Sequence, residues 1–256
     1  MSVELVSAAS EPRTTRRTLR RFSPWALLVV GSLMAVIAGA AVLAAWWLAS
    51  SRTTTVAYAV PRTLLGIELR VQSGNVTIVG GSQAGVSVSR TDHSVFGHGP
   101  REQRLVGLGI LHLVSSCPAL VLGSCGSNYL IEVPDNVSIN VRAEHGAVRL
   151  EGYQGSADIT TNAGSITVEG YCGLVLAATA ASGSISVGTS SCSPGRLALF
   201  SDSGSVAVTV PAGNYRIDAA SQSGNSRISG LVNNADAPWN IQALSNSGNV
   251  TVAADT

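Results

Sequence analysis

A chain of 256 residues with a formal net charge of +1 and 12% charged residues has room for one or two domains, and so neutral a balance does not suggest nucleic acid as a partner. All 16 of its basic residues are arginine. Chemistry that runs through a lysine amine is therefore excluded.

Residues 1–21 form an arginine-rich tail, in which Arg13, Arg16, Arg17, Arg20 and Arg21 stand against Glu4 and Glu11. A transmembrane helix is expected over 22–50. Trp25 to Ala49 carries no charge, and a helix of that length reaches roughly 37 Å, enough to cross a bilayer. Trp25 marks one end, and Trp46 and Trp47 the other, where indole rings favour the headgroup level. Only Arg52 follows the span closely, so the basic flank keeps the N-terminus cytoplasmic and places 52–256 outside the cell membrane. A cleaved signal peptide is the competing reading. Its apolar region would be about 7–15 residues with a small-x-small site close behind, whereas Ala57-Tyr58-Ala59 lies well past the apolar run. The tail also offers a contact for anionic lipid. Gly31, Ala35 and Gly39, spaced by four, give a face on which two such helices can approach.

After a linker at 51–64, residues 65–256 read as an extracytoplasmic repeat domain. Gly-x-apolar-x-apolar recurs at Gly74, Gly146, Gly164, Gly183, Gly204, Gly224 and Gly248, with steps of 18, 19, 21, 20 and 24 from Gly146 onward. Apolar residues fall two and four positions after each glycine and seven and five before it, Ser226 being the exception. Each unit is thus two short strands with inward residues at period two, joined at a Ser-Gly corner where glycine tolerates positive φ. Units too small to bury their own apolar face must stack. The near-constant step favours an all-β solenoid over an antiparallel sandwich, in which Ser-Gly would be a hairpin turn. Ala237-Pro238-Trp239 widens the last spacing and is a candidate cap.

About 90–128 reads as an irregular insertion: a polar loop, then an alternating strand from Leu105 to Val114. Four cysteines outside the cytoplasm point to disulfides, with three connectivities open. Cys117 and Cys125 bracket a short loop, and Cys172 and Cys192 lie one repeat apart, which makes them neighbours if repeats stack. Zinc is the rival for the cysteines, with His93 and His98 nearby, but no Cys-x-x-Cys or paired-His spacing is present.

The Ser-Gly-x-Val-x-Val series, the segment Tyr129-Leu-Ile-Glu-Val-Pro-Asp-Asn-Val, the stretch Ser116 to Ser127 and the preceding span resemble the DUF4097 family of adhesin-like proteins, its actinobacterial members in particular. The resemblance covers about 65–254. It implies a right-handed, single-stranded β-helix outside the membrane, and no catalytic residues.

Motif chemistry is missing. Gly81-Ser82-Gln83-Ala84-Gly85 has its serine one place early for a nucleophile elbow, and there is no Walker loop, His-Glu-x-x-His or calcium repeat. His93 and His98 share a polar stretch with Asp92. The outward row six before each glycine is Glu68, Asn140, Asp158, Ala177, Ala198, Asp218 and Gln242. Its two aspartates are candidates for a glycosidase pair, although two alanines interrupt it. Asn75, Asn136 and Asn249 head glycosylation sequons within the repeats. The expectation is a non-enzymatic, cofactor-free, metal-free envelope protein that binds polysaccharide or another membrane protein. The alternative is a regulatory partner in envelope-stress signalling, acting through the span and tail.

Overall fold

The computed structural model describes residues 24–60, 63–95, 99–118, 123–189 and 192–255. The arginine tail and His98 lie outside them. Ala49 and Ser50 mark the boundary between two units, a helix and a compact β domain.

Helix α1 spans Pro24–Ala49, of which Leu28–Trp47 is long and apolar enough to cross a membrane. Its one hydroxyl, Ser32, donates to the Val29 carbonyl at 2.9 Å. The helix therefore has no polar face to turn to water.

The β domain begins with β1 (Ser51–Val60), β2 (Gly66–Ser73), β3 (Val76–Gly81), β4 (Val86–Val95), β5 (Arg101–Gly107), β6 (Ile110–Ser116) and β7 (Cys125–Pro134). Next come β8 (Ser138–His145), β9 (Val148–Glu151), β10 (Ala157–Ala163), β11 (Ile166–Glu169), β12 (Val175–Ser182) and β13 (Ile185–Gly188). The last are β14 (Arg196–Ser203), β15 (Val206–Val210), β16 (Asn214–Ser221), β17 (Ser226–Ser229), β18 (Val232–Asn233), β19 (Asn240–Ser247) and β20 (Val250–Ala254). They form two sheets of ten, ordered β1-β4-β7-β3-β9-β11-β13-β15-β20-β17 and β18-β16-β19-β14-β12-β10-β8-β2-β6-β5. Each repeat gives one strand to each sheet, and equivalent strands pair parallel and in register, as in Ile166↔Ile185 and Val206↔Val250.

This solenoid-like stack puts Val148, Ile166, Ile185, Val206 and Val250 in one fully buried column. Each such side chain contributes roughly 1.5–3 kcal/mol by leaving water. At the opposite corner a second column is aromatic. Tyr153, Tyr171 and Tyr215 are fully buried. The Tyr153 hydroxyl donates to the Val137 carbonyl, and those of Tyr171 and Tyr215 donate to Gly155 and Pro211, each at 2.9 Å. A buried phenol needs such a partner.

Stacking order departs from chain order at both ends. Unit β6/β7 lies outside β2/β3, so β8/β9 packs on β2/β3 although β6/β7 intervenes in sequence. At the other end β19/β20 inserts between β14/β15 and β16/β17. The wide last spacing therefore belongs to a chain that passes an empty slot, turns, and comes back to fill it. Trp239 lies on that return, its ring 5.9 Å from Tyr215.

Three expectations change. The linker at 51–64 is largely β1, which pairs antiparallel with β4. The irregular insertion at about 90–128 holds the end of β4, then β5, β6 and the start of β7. Within it, Leu105 to Val114 is two strands, because Leu108 and Gly109 both take positive φ, 52° and 77°, and turn β5 back on β6. The alternation of apolar residues runs straight through that turn and hides it.

Candidate functional site

The seven repeat glycines form a single corner column. An ideal Cβ on Gly146 would overlap the carbonyl of Gly74, on Gly164 that of Gly146, on Gly183 that of Gly164, and on Gly204 that of Gly183. Gly248 follows on Gly204, and Gly224 on Gly248. Glycine is required because the next layer's backbone occupies the side-chain position. Ser201, Ser245 and Ser221, three residues before their own glycines, donate to the Gly183, Gly204 and Gly248 carbonyls at 2.9, 2.8 and 2.6 Å. Asn75 and Asn249 act in a similar way at the corner: their side-chain oxygens accept from Ala147 N and Asn225 N at 2.9 and 3.0 Å.

Both cysteine pairs are disulfides. Cys117–Cys125 joins β7 to the end of β6, and Cys172–Cys192, with Cα atoms 5.7 Å apart, ties adjacent layers beside Tyr171. Among the described residues no three His, Cys, Asp or Glu gather as metal ligands. His93 stands on β4, within 3.3 Å of the Thr53 hydroxyl, and Asp92 points the other way, into the domain.

Asp92 belongs to a half-buried network that closes the end of the stack between β1, β4, β5 and β7. Arg90 bonds Asp92 at 2.6 Å and Glu102 at 3.0 Å. Glu102 accepts from the hydroxyls of Tyr58 and Tyr129 at 2.9 and 3.0 Å, and Arg104 lies 4.3 Å over the Tyr58 ring. Burial opposes the charge on Arg90, but Glu102 and Asp92 outweigh it and raise its pKa. Burial raises the pKa of both phenols, with Glu102 adding to it. These residues are spread over 51–64 and 90–129, where sequence spacing gave no sign of a cluster. The network ties β1, β4, β5 and β7 together at this end of the domain.

Open space lies on the outer face of the second sheet. One groove of 490 Å³ is lined by Glu68, Asn140, Arg142 and Asp158, among others. A second, of 660 Å³, is lined by Arg70, Gln72, Arg142, Glu144, Thr160 and Asn162. Strand pairing sets the outward row in the order His112, Glu68, Asn140, Asp158, Ala177, Ala198, Gln242, Asp218. The two aspartates are four strand spacings apart, about 19 Å, beyond the span of a glycosidase pair. Glu68 takes Arg70 at 2.6 Å and His112 Nδ1 at 2.9 Å. The Arg70 hydrogen bond holds its carboxyl below the usual range. Asn140 Oδ1 is buried and has no partner among the described residues.

Residues 47–256 match the model of the Toastrack DUF4097 family. The chain belongs to that family. No curated protein matches it. Among solved structures, a candidate cell adhesion protein from Clostridium sporogenes aligns over 80% of this chain and 100% of its own, with 8% identity and a TM-score of 0.45. A candidate adhesin from Bacteroides fragilis aligns over 80% and 97%, with 14% identity and a TM-score of 0.49. At such values the architecture of this Toastrack domain rests on its own strand pairing.

Proposed function

We propose that this Toastrack protein is a single-pass membrane protein, N-terminus cytoplasmic, which holds a non-catalytic, adhesin-like binding domain outside the cell membrane. The finer form of that domain is a right-handed, single-stranded β-helix. The observation that carries the reading is that one chain holds both α1, which has no polar face, and a β domain whose outer face is grooved and polar. The non-catalytic reading is supported by the separation of Asp158 and Asp218, four strand spacings or about 19 Å apart. The adhesin labels of the structural neighbours point the same way without weight of their own.

The test combines topology with binding. Protease added to intact spheroplasts should degrade the β domain and spare the N-terminal tail. The full-length chain in detergent micelles should be retained on isolated cell-envelope material without degrading it. A protected β domain, or no retention, would refute the proposal.

A further inference from the structure

We propose that the grooved face of the second sheet binds an anionic glycan. Arg70 and Arg142 would hold its carboxylate or phosphate, and Asp158 beside them would take a hydroxyl. The inference rests on the reading of the protein as an envelope-binding module and names the ligand class of that module.

The first ground is a charge conflict. Arg70 and Arg142 are register partners on the adjacent parallel strands β2 and β8, whose backbones lie about 4.8 Å apart. Like charges directly opposite one another destabilise a sheet. Glu68 answers the charge of Arg70. Arg142 makes no ion pair or hydrogen bond among the described residues, and Glu144, two positions along β8, does not take it. An anion between the two guanidinium groups resolves the conflict, in the bidentate geometry that arginine favours.

The second ground is position. Arg142 lines both grooves and is the one charged residue they share. In the first groove Asp158 stands two strands from Glu68, with Asn140 between them. Asp158 has no partner among the described residues. Glu68 is already held by Arg70 and His112, so Asp158 is the acceptor in this row that calls for a donor from the ligand. A polyanion without donors would meet Glu68 and Asp158 as repulsion. A neutral glycan would leave Arg142 unanswered. An acidic sugar chain carries both the anion and the hydroxyl donors, and the strand spacing is close to the length of one sugar ring.

The test is titration calorimetry on the full-length protein in neutral-detergent micelles. The probes are an oligogalacturonate, a glycerol phosphate oligomer and a neutral cello-oligosaccharide. One anionic probe should bind, the neutral one should not, and the probe that binds identifies carboxylate or phosphate as the anion. Arg142→Gln should weaken that binding at least tenfold with an unchanged thermal midpoint, Arg70→Gln should also weaken it, and Arg227→Gln on the other sheet should leave it intact. Absence of binding by both anionic probes, equal binding of the neutral one, or full binding by Arg142→Gln overturns the proposal. Retention on envelope material separates the two levels. If Arg142→Gln is retained as well as the wild type, the groove is wrong and the envelope reading stands; if the wild type is not retained, the envelope reading falls.

Discussion

The carbonyl of Gly204 sits where a side chain on Gly248 would begin, although Gly224 comes between them in the chain. That one relationship states how the domain is built: layers are chosen by fit, and the final repeat slides beneath the one before it. Asn249 N donating to Ser205 Oγ at 3.2 Å, and Val206 pairing with Val250, repeat the same neighbourhood.

Gly248→Ala should therefore cost about 1–3 kcal/mol, the range for forcing extra volume into a packed interior, since the obstructing atoms are backbone. Gly107, whose Cβ position is open, is the control: Gly107→Ala should move the urea midpoint little. Equal midpoints for the two variants would contradict the corner geometry.

Much of the stack was legible in the sequence, because apolar residues at +2 and +4 of each glycine must share a face. Cys172 and Cys192, one repeat apart, are neighbours if the units stack, although the sequence left three connectivities open. The order of the layers was not legible. Val206 is as good a neighbour for Val250 as for any other β-branched residue in its column, so periodicity says which residues are equivalent and never which are adjacent. The closing network was hidden for a different reason. Tyr58, Arg90, Glu102 and Tyr129 meet only through antiparallel pairing of β1 with β4, β4 with β7 and β5 with β6. On the grooved face, the outward row could be written down, but the meeting of Arg70 and Arg142 depends on register.

Removing Glu102 should be more damaging than its position near a loop would imply. Glu102→Ala leaves two phenols and one side of Arg90 without their acceptor. A loss of about 3 kcal/mol is expected from stripping a buried charge of its partner, and denaturant unfolding measures it. A loss below about 0.5 kcal/mol would place the pair among exposed surface salt bridges.

Alkali should unfold the domain. Burial raises the pKa of Tyr58, Tyr129, Tyr153 and Tyr171. A phenol whose folded pKa exceeds its unfolded value contributes stability that is complete below the unfolded pKa, about 10, and declines as pH rises toward the folded value. Stability should therefore fall from about pH 10 upward, and tyrosinate absorbance should appear together with loss of the β signal in circular dichroism. Tyrosinate forming in the ordinary range while the fold persists would mean these rings are solvated.

The layer order is tested most directly by engineered cross-links on the outer face of the first sheet. Thr209 pairs in register with Ala253, and Ala253 with Ser229 on the far side. Parallel partners lie within the Cα range that a disulfide spans, and residues two strands apart lie beyond it. Thr209→Cys with Ala253→Cys should oxidise to an intramolecular bridge, and Thr209→Cys with Ser229→Cys should remain reduced. A bridge in the second pair and none in the first would put the sixth repeat directly on the fifth, and the threaded stack described here would be wrong.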